Sequence, residues 1–136
     1  MADQGKEKRL GQIYKEIEQL NPEVLPDLNK MIRLYSQAQM IIGFLDADAL
    51  YRYGSAYSLR KQQQAQISQE TDGTVSNKES EAEIQTYELR LQETNAKAES
   101  RKWQNLFKST DNLIIALRRD ERTAVEEYKK ANTLYD

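Results

Sequence analysis

The sequence predicts an all-α fold, a helical hairpin of two long helices with short flanking helices. Three observations carry this expectation. Glycine and proline are scarce, 5 and 2 in 136 residues, which leaves too few turns for a many-stranded sheet protein. Strong helix formers, chiefly Glu, Gln, Lys, Arg, Ala and Leu, fill the chain. Apolar residues recur at steps of three and four over several segments, the spacing of one helix face. With 38% hydrophobic and 31% charged residues the core must be thin, so self-association is expected to bury surface that a single chain leaves open.

Residues 1–20 read as an N-terminal arm and a short helix, with Leu10, Ile13, Ile17 and Leu20 on one face. Lys6, Lys8 and Arg9 fit a flexible, phosphate-contacting arm, or else an ordinary solvated terminus balanced by Asp3 and Glu7. Residues 21–66 read as a helical hairpin that contains the central helix. Asn21-Pro22 and Pro26 mark a bend, and Asp27 caps a helix whose stripe is Leu28, Met31, Ile32, Tyr35, Ala38, Ile41 and Ile42. Gly43 is placed as its stop. Asp46 and Asp48 then suit the electropositive first turn of the central helix. Ala47, Leu50, Tyr51, Gly54 and Tyr57 form the face read as buried, and Arg52, Arg60 and Lys61 lie opposite.

Residues 67–78 read as a loop around the turn signal Asp72-Gly73. A long helix over 79–117 is expected to start from Asn77 or Ser80. Its acidic first half lacks a sustained heptad. Its second half carries Trp103, Leu106, Phe107, Thr110, Leu113, Ile114 and Leu117 as a core stripe. Residues 118–136 read as a charged break, Arg118-Arg119-Asp120-Glu121-Arg122, and a last helix with Ala124, Val125, Tyr128, Ala131 and Tyr135. The three arginines suit either a solvated corner or a surface for an anion or a neighbouring subunit.

Cysteine and histidine are absent, which excludes disulfides, thiolate chemistry, zinc fingers with the usual ligands and histidine-based catalysis. No Gly-rich phosphate loop is present. Asp46-x-Asp48 is the one pair that suggests a metal-dependent nuclease, but helix-start carboxylates account for it more simply. No catalytic residue, metal or cofactor is expected. No apolar run reaches the roughly 18 residues of a membrane span, and the first residues lack a signal-peptide core, so a cytoplasmic protein with no membrane contact is expected. Charge is uneven along the chain. Residues 67–100 hold Lys78, Arg90 and Lys97 against eight acids, while 101–136 hold eight Lys and Arg against six acids.

The segment Leu45-Asp46-Ala47-Asp48-Ala49-Leu50-Tyr51-Arg52-Tyr53 resembles the start of the central helix in the small terminase subunits of long-tailed bacteriophages. The order of elements around it, from Val24 to Arg122, resembles that family as well. The resemblance implies a non-catalytic small terminase subunit in the bacterial host cytoplasm. Such a subunit recognises viral double-stranded DNA, assembles into a ring-like homo-oligomer, and recruits or regulates the large ATPase/nuclease subunit during genome packaging. On that reading Lys6, Lys8, Arg9, Arg52, Arg60, Lys61, Arg118, Arg119 and Arg122 are the DNA-binding candidates. Leu50, Tyr51, Tyr57, Trp103, Leu106, Phe107, Leu113, Ile114 and Leu117 are the core or oligomerisation candidates. The alternative reading is a non-catalytic helical adaptor or oligomerisation protein that binds another protein and not DNA.

Overall fold

The computed structural model describes residues 4–133, and among them every regular element is helical. There are four helices: α1 (Gln4–Glu18), α2 (Leu25–Glu70), α3 (Val75–Gln85) and α4 (Tyr87–Thr133). None of them is long and apolar enough to cross a membrane. The helices form two compact units. One takes α1, α2 as far as Leu45, and α4 from Trp103 onward; the other is Asp46–Lys102.

In the first unit α1 buries Leu10, Ile13 and Ile17, three of the four residues read as its face, while Leu20 lies past its end. Lys6, Lys8 and Arg9 belong to α1 and not to a flexible arm. The bend that follows is held by side chains. Asn21 Oδ1 accepts from the Glu23 N–H at 3.0 Å, and Asp27 Oδ2 accepts from the Asn21 N–H at 3.0 Å. Pro26 falls in the first turn of α2, where no intrahelical bond to its nitrogen is needed. Beyond it Leu28 and Ile32 pack with Ile114 and Leu117 of α4, flanked by Leu25 and Tyr35. Gln39 Nε2 donates to Asp111 Oδ1 at 3.2 Å, so the two helices run antiparallel in this unit.

The helix does not stop at Gly43. It continues to Glu70, and the only positive-φ glycine among the described residues is Gly73. A helical glycine forfeits only about 1 kcal/mol relative to alanine, a deficit that the packing of Ile42 and Leu45 on either side outweighs. Gly43→Ala tests this directly. A Cβ there would meet Phe107 Cε2 at 3.7 Å, an ordinary contact, so the variant is expected to gain about 0.5–1 kcal/mol and raise Tm by roughly 2–4 °C. A left-handed helix stop would give the opposite sign in the same thermal melt.

In the second unit the loop is shorter than the sequence suggests, residues 71–74 only, with Gly73 at φ 118°. Thr74, not Asn77 or Ser80, caps α3, its side chain accepting from the Asn77 N–H at 3.2 Å. Thr86, fully buried, separates α3 from α4 and donates its hydroxyl to the Ala82 carbonyl at 2.7 Å. Burial along α3 and α4 falls at Ala82, Thr86, Leu89, Glu93, Ala96 and Ser100, with Leu89 and Glu93 half-buried. Those steps of four and three are a heptad seam after all, but one filled with small and polar side chains. On α2 the corresponding buried line is Ala49, Ala56 and Arg60.

That line displaces the aromatic face read from the sequence. Leu50 and Tyr57 lie one position off the seam and Tyr51 two, and all three are exposed, as are Phe107 and Leu113 on α4. Leu106 is half-buried, and Trp103, Ile114 and Leu117 are core as expected. The charged break is not a break: α4 passes through Arg118–Arg122 without interruption. The residues there are acceptable helix formers, and no glycine or proline follows Gly73 anywhere in the sequence. Tyr135 lies outside the described residues.

Candidate functional site

The second unit is held together by polar side chains in antiparallel order. Ser100 Oγ donates to Asp46 Oδ1 at 2.6 Å, and Arg52 Nη2 pairs with Glu99 Oε2 at 3.0 Å. Arg60 forks onto Glu93, Nε to Oε2 at 2.6 Å and Nη2 to Oε1 at 3.3 Å. Gln64 extends the network by accepting from Arg60 at 3.3 Å and donating to Thr86 Oγ1 at 3.1 Å. The bond to Glu93 raises the Arg60 guanidinium's proton affinity against the opposing effect of burial. The same bond holds the Glu93 carboxyl below the ordinary glutamate range.

This ladder takes in several residues read as site candidates. Arg60 is buried and committed to Glu93, so it is a structural cation and not an exposed contact for an anion. Arg52 is half-buried against Glu99, and its covered Nε–H meets no acceptor among the described residues. Asp46 accepts from Ser100 in mid-helix rather than opening one. Asp46 and Asp48 stand two residues apart on a continuous helix, so their side chains diverge and do not form a two-carboxylate clamp. Among the described residues no cluster of three or more potential His, Cys, Asp or Glu ligands occurs.

The remaining basic candidates lie on helix surfaces. Lys6 places Nζ 5.5 Å from the centre of the Phe44 ring, and Arg9 pairs loosely with Glu16 at 3.7 Å, both side chains about half exposed. Lys8 is exposed. Lys61 sits 5.7 Å from the Tyr57 ring, and Lys97, which the sequence did not single out, lies 5.9 Å from Tyr53. Arg118, Arg119 and Arg122 are exposed on α4. Arg118 and Arg122, one turn apart, line a shallow cleft with Lys129, Glu121 and Glu126. Its charge is mixed, with basic groups in slight excess.

No family model matches the chain, and neither a curated protein nor a solved structure matches it significantly.

Proposed function

We propose that this chain is a non-catalytic small terminase subunit. On this reading it binds viral double-stranded DNA, assembles into a ring-like homo-oligomer in the bacterial host cytoplasm, and recruits or regulates the large packaging subunit. The observation that carries the reading is the segment Leu45–Tyr53. Leu45 and Ala49 turn inward there, while Leu50 and Tyr51 face outward, where a neighbouring subunit can reach them. The exposed arginines of α4, Arg118, Arg119 and Arg122, supply a close group of cations for phosphate contacts. Lys8, Arg9 and Lys61 are the other exposed candidates, while Arg52 and Arg60 are covered and each is paired with a glutamate.

The test is solution mass by light scattering, with and without duplex DNA, across a salt series. A closed oligomer that moves onto duplex at low salt is the expected result. Reversing Arg118 and Arg119 to Glu should weaken binding to all sequences alike. It should also flatten the plot of log affinity against log salt by about 0.9 for each phosphate no longer neutralised. The adaptor reading draws on a separate observation, the exposed Ile84, Tyr87 and Leu91 beside the acidic residues of the second unit. An oligomer that stays off duplex at low salt would favour it.

A further inference from the structure

On α3 and the first turns of α4, the side that faces away from the buried line carries an apolar row. Ile84, Tyr87 and Leu91 are spaced by three and four, so they form one stripe, half a turn round from Ala82, Thr86, Leu89 and Glu93. The row keeps its register from α3 into α4. The Thr86 N–H donates to the Ala82 carbonyl at 3.1 Å and the Arg90 N–H to the Thr86 carbonyl at 3.1 Å, both in the helical four-residue step. Ile84 is 71%, Tyr87 57% and Leu91 39% exposed. Single exposed apolar residues are ordinary, but three in one row mark a contact surface.

The charge around the row is one-sided. Residues 79–96 hold five acids, Glu79, Glu81, Glu83, Glu88 and Glu93, against the single cation Arg90. Arg90 pairs with Glu83 at 3.3 Å, and Glu93 takes Arg60 from α2. Among the described residues no cation pairs with Glu79, Glu81 or Glu88. Glu81 and Glu88, two turns apart, border the row on one side, and Glu83 borders it on the other.

That rim restricts what the row can pack against. Duplex phosphates are repelled by it. A second copy is opposed as well, because in an antiparallel twofold pairing each flank meets itself, setting Glu81 of one chain beside Glu88 of the other. A partner of opposite sign meets neither obstacle. We propose that this face docks an amphipathic helix of another protein, one with apolar residues at the same three-and-four spacing and Lys or Arg on its flanks. The proposal rests on the protein partner that both readings above contain, and it holds whether or not the chain binds duplex. The apolar row is only about 10 Å long, so the contact is small, reversible and sensitive to salt.

The probe is a fluorescein-labelled peptide of about 18 residues, with Leu at helical spacing and Lys on both flanks, titrated with the full chain and read by anisotropy. Binding at low salt that weakens as salt rises is expected, and the same peptide with Glu for Lys should not bind. Ile84→Ser with Leu91→Ser keeps the net charge and should weaken binding about tenfold or more. Glu81→Gln with Glu88→Gln should weaken it at low salt and remove most of its salt dependence. Glu126→Gln with Glu127→Gln, an equal charge change in the first unit, should alter neither. Circular dichroism of all three variants should match that of the native chain. A peptide that does not bind, or that binds the serine variant as tightly as the native chain, overturns the docking surface. A lower solution mass for the serine variant also overturns it, by assigning the face to a second copy. Duplex anisotropy on the same samples separates the two readings: a chain that takes the peptide and no duplex keeps this surface and loses the packaging function.

Discussion

Trp103→Ala is expected to remove about 3–5 kcal/mol of stability, the range for truncating a large buried aromatic ring. Trp103 is 4% exposed at the start of the segment that α4 gives to the first unit, where it continues into the buried line Thr110, Ile114 and Leu117. A domain of ordinary stability has about 5–15 kcal/mol in total, so the variant should be near its unfolding threshold at room temperature. Urea titration followed by circular dichroism measures the effect, since the substitution removes the chain's single tryptophan. Trp103→Phe keeps most of the ring and should lose much less. A loss below about 1 kcal/mol for the alanine variant would place the indole at the surface.

Breaking the Arg60–Glu93 fork is the second large effect. The side chains are 8% and 14% exposed, so Arg60→Ala or Glu93→Gln strands the other partner beneath its neighbours. Removing one member of a fully buried pair costs about 3–5 kcal/mol. Here the pair lies between helices, with water one side chain away, and about 2–3 kcal/mol is the expected loss. Replacing both at once, Arg60→Met with Glu93→Leu, should recover most of it. The pH dependence follows from the same bond. Glu93 is held below the ordinary value of 4.5, so its contribution is complete above that pH and is lost as the pH falls through the lower, folded value. Arg60 is shifted upward from an already high value, so its contribution stays constant over the whole accessible range. Thermal melts should therefore show the native chain losing stability below about pH 4.5 more steeply than Glu93→Gln.

The elements that the sequence made legible are those marked by large side chains or special backbone. Leu10, Ile13 and Ile17 announced α1, Trp103, Ile114 and Leu117 the core face of α4, and Asp72-Gly73 the turn. Hydrophobic periodicity follows bulky residues, and in the second unit the buried positions are Ala49, Ala56, Arg60, Ala82, Thr86, Ala96 and Ser100. The eye then settles on Leu50, Tyr51 and Tyr57, one or two positions away. Gly43 and Arg118–Arg122 misled for a different reason, since local signals worth about 1 kcal/mol are overridden in a helix packed along its length. The ion pairs join residues 33 and 47 apart, which no local pattern reveals. The turn at Asp72-Gly73 alone would set Arg60 opposite about residue 85, two helical turns short of its partner Glu93.

The polar ladder also sets an order of assembly. Its contacts join residues 22, 33, 47 and 54 apart, counting outward from the turn. Closing the innermost loop first is favoured over the outermost by about 0.8 kcal/mol of chain entropy. Once it has closed, each further rung spans only a few free residues on either side. The Asp46–Lys102 segment therefore zips from Gln64 and Thr86 toward Asp46 and Ser100.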